Sequence, residues 1–153
     1  MHWSIVEQAH YVRAGKLEFE TETLRFHETV DAASQASPPQ AVLVSGVLQY
    51  MPDPANVLKS LVSTEAEYIV IDRTPFALDG RQRISTQSVP SSINASSYPL
   101  RLFNEEQLKA PLLTHYDEIA SFAAVDGALG YGGLKAIFKG FIFKKRKRIK
   151  EGS

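Results

Sequence analysis

The sequence predicts an α/β domain built on a mostly parallel sheet that ends in an antiparallel hairpin. Three observations predict it. Trp3-Ser4-Ile5-Val6-Glu7 is a strand-length apolar run that ends on a carboxylate and leads straight into a helical pattern. Two further runs, Ala41–Ser45 and Tyr68–Asp72, are nearly continuous in apolar residues, as expected of strands covered on both faces of a parallel sheet, and a helical segment separates them. Late in the chain, two extended segments, Tyr116–Ala124 and Leu134–Lys144, flank the turn-rich stretch Asp126–Gly133.

Taken in order, Trp3–Glu7 reads as a buried parallel strand. Gln8–Lys16 follows as a helix, with Ala9, Val12 and Leu17 toward one face and Gly15 near its end. Leu24-Arg25-Phe26 is a short strand, and Asp31–Ser37 is a polar connector closed by Pro38-Pro39. After the strand Ala41–Ser45 comes a loop, Gly46–Pro52. Asp53-Pro54 then opens a helix: the carboxylate can cap free N–H groups, and proline is tolerated in the first turn. Val57, Leu58, Leu61 and Val62 give that helix its apolar face. Tyr68–Asp72 is again a buried strand ending in an acid. Residues 73–101 are rich in Ser, Pro and Thr, with Arg83–Val89 extended. Asn104, followed by Glu105, Glu106 and Gln107, starts a capped helix that ends near Pro111–Leu113, and the terminal hairpin follows.

At 153 residues, 44% hydrophobic and 22% charged, the chain suits one domain with one core. Cations and anions number 17 each. Six of the cations (Lys144, Lys145, Arg146, Lys147, Arg148 and Lys150) crowd one short tail. Setting these aside with Glu151, the tail's one acid, leaves 11 cations against 16 anions in residues 1–143, a net of −5. The expected organisation is a folded unit over 1–143 and a disordered basic tail over 144–153. A short basic run without interleaved aromatics gives no reason to expect a nucleic-acid partner. Without cysteine the chain can form no disulfide, thiolate nucleophile or Cys-ligated metal site. No 18-residue apolar run and no basic-then-apolar leader occurs, so a cytoplasmic location without a membrane span is expected.

Several residues stand where chemistry would need them. Glu7, at a strand's carboxyl end, can accept hydrogen bonds from ribose hydroxyls, as the second half of a nucleotide-binding βαβ unit would require. Gly46 would let a ligand approach the backbone closely, or serve only the turn. Asp72 and Arg73 end a strand at the edge where open α/β sheets bind ligands; Arg73 could grip an anion bidentately, or pair with Asp72 to pin the loop. Gly127–Gly133 is no phosphate loop, because extended segments rather than a strand and a helix frame it. His2, His10, His27 and His115 show no metal-ligand spacing, and no G-x-S-x-G elbow occurs.

In this order the elements resemble the class I S-adenosylmethionine-dependent methyltransferases. Their sheet is parallel except for the last strand, which forms a hairpin with the one before it. Trp3–Glu7 resembles their second strand, Ala41–Ser45 with Gly46–Pro54 their fourth strand and its loop, Tyr68–Asp72 their fifth, and the terminal hairpin their sixth and seventh. The segments Trp3–Gln8, Val44–Pro54, Ile71–Phe76 and Ser97–Phe103 are similar to a subfamily associated with surface-polysaccharide loci. The resemblance implies a Rossmann-like methyltransferase sheet and S-adenosylmethionine as cofactor. It places Glu7, His27, Glu28, Ser45, Gly46 and Val47 on the cofactor, with Phe26 beside the adenine. It places Tyr50, Asp72, Arg73, Tyr98 and Arg101 on a small-molecule substrate, and Gln49 toward substrate or sulfonium. The reaction implied is methyl transfer to oxygen or nitrogen of a small-molecule or saccharide acceptor; no residue stands out as the base.

One departure is large. The first strand, the first helix and the glycine loop of that family have no counterpart. In the family's strand order 3-2-1-4-5-7-6 the missing strand is central. The expectation is a truncated, inactive chain or a fragment of a longer one. The alternatives are direct pairing of strands two and four, or a second copy or partner chain covering the open edges. A non-catalytic remnant that acts by binding a partner is the rival reading. A nicotinamide-dependent dehydrogenase also uses a ribose-binding acid, but the terminal hairpin argues against it.

Overall fold

The computed structural model describes residues 1–89, 91–92, 95–131 and 133–147, so the tail from Arg148 onward lies outside the described residues. Its elements run β1 (Trp3–Val6), α1 (Ala9–Glu18), β2 (Leu24–His27), α2 (Val30–Ala36), β3 (Ala41–Ser45), a 3-10 turn (Leu48–Tyr50), α3 (Pro54–Ser63), β4 (Tyr68–Ala77), β5 (Arg83–Val89), β6 (Ser96–Leu102), α4 (Glu105–Leu113), β7 (Tyr116–Tyr131) and β8 (Leu134–Lys145).

Three sheets form. The main one has the order β3-β4-β8-β7, with β3 and β4 parallel and the β7–β8 hairpin antiparallel to its neighbours. The last strand thus inserts between β4 and β7. A two-stranded parallel sheet holds β1 and β2, and an antiparallel hairpin holds β5 and β6. In the main sheet and in the β1–β2 sheet the neighbours are those implied by the resemblance, the β5–β6 hairpin has no counterpart in it, and the order breaks between β1 and β3. No ladder joins those two strands, so direct pairing across the missing position does not occur.

The core lies on the main sheet. Ile69, Ile71, Phe141 and Phe143 meet Leu58 and Leu61 of α3 and Leu108 and Leu112 of α4, all buried. Burying each such side chain contributes roughly 1.5–3 kcal/mol relative to exposure. Tyr116 is also fully buried; its hydroxyl donates to the Ala66 carbonyl at 2.9 Å, so the polar tip is satisfied inside the core. The helix starts follow the sequence signals: Asp53 accepts from the Asn56 N–H at 3.0 Å and Asn104 from the Gln107 N–H at 2.8 Å. No described helix is long and apolar enough to cross a membrane.

Several expectations need correction. All four residues of β1 are exposed, and in β3 only Val44 is buried while Leu43 is 59% exposed. Both strands stand at open sheet edges and lack the two-sided cover that their composition suits. Leu17 is 85% exposed rather than on a packed face. Asp31–Ser37 is mostly helix, because Thr29 caps it by accepting from the Ala32 N–H at 3.1 Å. Residues 73–101 hold the end of β4 and a second hairpin rather than one extended piece. Finally, β7 runs on to Tyr131. Gly127, at φ +69°, absorbs an irregularity between Ala123 and Ala128, and pairing with β8 then resumes. Lys144 and Lys145 belong to β8, since their ladder with β4 and β7 continues to the strand's end.

Candidate site at the carboxyl end of β3 and the interruption of β4

Ser45 ends β3, and its register partner Asp72 lies midway along β4, which runs on to Ala77 rather than ending in the acid as expected. The Ser45 hydroxyl donates to Asp72 Oδ2 at 3.4 Å, the Arg73 N–H to Asp72 Oδ1 at 2.8 Å, and the Gly46 N–H to the Asp72 carbonyl at 3.1 Å. Gly46 sits at φ +65°, where glycine alone is free of strain; a Cβ there would meet only Arg73 Cβ at 3.9 Å. Its backbone conformation, not a crowded cradle, requires the glycine. Val47 is exposed beside it.

The chain then makes its 3-10 turn. Leu48 plugs into the core, and Gln49, only 4% exposed, donates Nε2 to the Arg73 carbonyl at 3.2 Å. Its Oε1 is buried with no partner among the described residues. Tyr50 sets its ring edge-on to Tyr98 (5.3 Å between centroids, 86° between planes) and donates its hydroxyl to Gln87 Oε1 at 3.1 Å. Burial and the neighbouring Tyr98 phenol raise the Tyr50 phenol above its ordinary range, so it keeps its proton at neutral pH. From β6, Arg101 donates Nη2 to the Pro52 carbonyl at 3.4 Å, while its buried Nε has no partner among the described residues.

Arg73 interrupts β4. Its φ is +52°, unusual for a residue with a side chain, and the β4–β8 register shifts between Ile71 and Thr74. Its Nε and Nη2 donate to the two carboxylate oxygens of Asp126, each at 2.9 Å. Hydrogen bonding from Arg73 holds the Asp126 carboxyl below its usual range, and the same bonds raise the guanidinium. The Arg73 fork is therefore spent on Asp126, and the expected pairing with Asp72 is limited to the latter's hold on the Arg73 N–H.

Of the expected residues, Ser45, Gly46, Tyr50, Asp72, Arg73, Tyr98 and Arg101 come together here. Glu7, His27 and Glu28 lie on the β1–β2 sheet, and no described hydrogen bond or ion pair links them to this cluster. Glu7 Oε2 accepts from the Gln8 N–H at 3.0 Å, ahead of α1. His27 ends β2 with a buried Nε2 that has no partner among the described residues; Glu28 is exposed. Phe26 packs on Gly15 of α1. Sequence reasoning missed Asp126 and Gln87. The Asp126-Gly127 pair reads as turn chemistry, which hid the strand that carries the acid.

Two clefts lie away from this cluster. One, about 480 Å³, is lined by Glu65, His115, Lys145 and Arg146 among others; the second, about 500 Å³, borders Asn104, Glu105, Lys109 and Lys139. Neither touches an expected site residue. Their charged groups are largely paired: Lys109 with Glu105 and Glu118, Lys139 with Glu105, Lys145 with Glu65, and Arg146 with Asp117. No group of three metal-ligating side chains occurs among the described residues.

No family model matches the chain, and no curated protein matches it. Among solved structures it is similar to a SAM-dependent methyltransferase from Methanosarcina mazei, with a TM-score of 0.58, 13% identity, and coverage of 93% of this chain and 82% of that one. The likeness is one of fold: this chain has a methyltransferase-like α/β architecture.

Proposed function

We propose that the chain is an S-adenosylmethionine-dependent methyltransferase domain, of the kind found with surface-polysaccharide loci, that methylates oxygen or nitrogen of a small-molecule or saccharide acceptor in the cytoplasm. The observation that carries this reading is the strand arrangement, β3-β4-β8-β7 with the last strand inserted antiparallel, together with the fold likeness. The residues also suit the cofactor. His27 Nε2, without a partner among the described residues, ends β2, and the exposed Glu7 directly follows β1, positions where a nucleoside would find hydrogen-bonding partners. When bound, the cofactor would supply an electrophilic methyl group. The chain's part would be to position an acceptor near Ser45, Asp72 and Tyr50 and to take its proton, with Asp72 the carboxylate of that group.

A second copy or partner chain along the open edges of β1 and β3 would complete the sheet, and belongs to the same proposal. The rival reading, a non-catalytic domain that binds a partner, draws support from the exposure of every residue of β1. Calorimetry with S-adenosylhomocysteine, the demethylated product, tests the choice. Binding with Kd near ~1–100 μM is expected; no binding at millimolar ligand would overturn the enzyme reading in favour of the rival.

A further inference from the structure

The main sheet has two faces, and the chain covers one of them. Its register sorts the residues into rows. Val44, Ile71 and Phe141 share a row and all belong to the core beneath α3 and α4. One residue along, Leu43, Val70, Ile142 and Ala120 form the next row across all four strands. Successive side chains of a strand point to opposite faces, so this row lies on the outer face. Tyr68 pairs with Lys144 in a further row of that face, and toward its other end Gly140 pairs with Phe122. A Cβ on Gly140 would meet the Phe122 ring and come within 3.0 Å of Asp72 Oδ1, which sets both side chains on the same face.

Composition and exposure disagree there. Leu43 is 59% exposed and Phe122 38%, Ala120 is exposed, and Tyr68, Val70 and Ile142 are half-buried. The helices α3 and α4 occupy the inner face, while α1 and α2 pack on the β1–β2 sheet. The exposure of Leu43, Ala120 and Phe122 shows that nothing among the described residues closes the outer face. A parallel pair such as β3–β4 is normally covered on both faces, and a contiguous exposed apolar patch marks an interaction surface.

The dimensions select the occupant. Four strands at about 4.8 Å each span about 19 Å, and the five residues of β3 run about 16 Å, giving roughly 300 Å². A stable pairing of two copies buries about 800 Å² on each partner, so this face is too small to hold a second sheet by itself. A helix is about 10–12 Å wide with its side chains, and three turns are about 16 Å long, which fits the face. Asp72, at the rim, accepts from the Ser45 hydroxyl and the Arg73 N–H and has no ion pair among the described residues, so a lysine or arginine on the helix flank would complement it. We propose that the outer face of the main sheet, centred on Leu43, Val70 and Ile142, is the seat of one amphipathic helix, about three turns long, from a partner protein. This interaction goes beyond the methyltransferase reading and does not rest on it.

The test uses the whole chain and a fluorescein-labelled peptide of about 18 residues, with leucine in an i, i+3, i+4, i+7 stripe and lysine and glutamine elsewhere. One control peptide has the same residues reordered to break the stripe, and another carries proline in mid-sequence. By fluorescence anisotropy the striped peptide should bind with Kd near ~10–100 μM, about tenfold tighter than either control, and gain helical circular dichroism as it binds. Leu43→Thr and Ile142→Thr keep a β-branched, uncharged residue in the strand, and each should weaken binding about fivefold or more. Ile84→Thr, at an exposed apolar position of β5, should leave affinity within about twofold. Thermal melting checks that each variant is folded, and the well-exposed Leu43 carries the test if Ile142→Thr does not fold. Equal binding of striped and control peptides, or unchanged affinity in the face variants, overturns the helix seat. So does a dimer in sedimentation that Ile142→Thr dissociates, because a second copy would then occupy the face. None of these measurements involves a nucleoside, so S-adenosylhomocysteine binding can fail while the helix seat stands, and the reverse.

Discussion

Arg73 reaches from β4 across β8 to Asp126 on β7 and closes a two-point hydrogen bond, 2.9 Å on each arm. Both residues sit at interruptions of their strands, and both interruptions face the same central strand. Gln49 holds the Arg73 carbonyl from one side and Asp126 holds the guanidinium from the other. A backbone conformation that arginine disfavours is thus fixed at the edge of the proposed site, a usual place for such strain.

Replacing Arg73 separates the two effects. Arg73→Ala removes the clasp and keeps the left-handed backbone without glycine's tolerance. Arg73→Gly removes the clasp and relieves the backbone. The glycine variant should melt higher than the alanine variant by about 2–4 °C. Asp126→Asn keeps the shape and loses the charge. Because the Asp126 carboxyl is held below its ordinary value, near 4 for a free aspartate, its contribution is complete above that pH and is lost as pH falls through the depressed value. The asparagine variant should show a shallower loss of stability below about pH 4 in acid titrations followed by circular dichroism. Equal acid slopes in the two proteins would reject the clasp.

Two glycines permit close aromatic contact, with unequal consequences. A Cβ on Gly140 would meet the tip of the Phe122 ring and approach Asp72 Oδ1 to 3.0 Å, but that ring is partly exposed and can turn aside. A Cβ on Gly15 would strike the body of the buried Phe26 ring. Gly15→Ala gains about 1 kcal/mol of helix propensity and loses about 1–3 kcal/mol to overpacking. It should perturb the β1–β2 unit, seen as faster hydrogen exchange in β2. Gly140→Ala should cost about 1 kcal/mol by urea unfolding, most of it restored in Gly140→Ala with Phe122→Ala. A double variant no better than the single one would exclude the Phe122 contact as the cause.

Much of this arrangement was legible because it rests on local chemistry. The apolar runs of β3 and β4, the caps at Asp53 and Asn104, and the terminal hairpin each follow from residue types at fixed spacing. So does the placing of Ser45 at a strand end, whereas Asp72 and Arg73 lie inside β4, whose pairing with β8 carries it on to Ala77. Other features depend on partners distant in sequence. Nothing near Arg73 announces Asp126, 53 residues away. The glycines after Asp126 read as a turn, although pairing with β8 outweighs their preference and extends the strand. For α2, one threonine cap decided a segment whose composition suggested a connector. The exposure of β1 was hidden for the opposite reason: its composition suits two-sided cover that the described residues do not provide.

The Tyr116 hydroxyl supplies a measurable core hydrogen bond. Tyr116→Phe would leave the buried Ala66 carbonyl without its donor, costing about 1–2 kcal/mol, or roughly 2–8 °C in melting temperature. Burial, and then the nearby Glu65 charge, raise the Tyr116 phenol above its ordinary value. A group raised in the folded state stabilises below its unfolded pKa, about 10, and loses that contribution as pH rises toward the folded value. The native chain should therefore weaken above about pH 10 more steeply than the phenylalanine variant. Parallel alkaline profiles would show that Tyr116 does not carry the difference.

The open edges of β1 and β3 can be followed through Trp3, the chain's one tryptophan. It is 57% exposed, and Ile5, Val6 and Leu43 are exposed with it. Unpaired strand edges bearing apolar side chains invite another strand, and β1 lacks the usual deterrents of a proline or a lysine. If a second copy covers these edges, sedimentation should show a concentration-dependent dimer, and Trp3 emission should shift to shorter wavelength as the dimer fills. Ile5→Lys and Leu43→Lys should each weaken association by more than about tenfold, because a charge would have to be buried in an apolar seam. Melting of the isolated chain should change little, since neither side chain is buried in it. A chain that stays monomeric at every concentration, with Trp3 emission unchanged, rejects self-association and leaves a different partner strand as the cover for these edges.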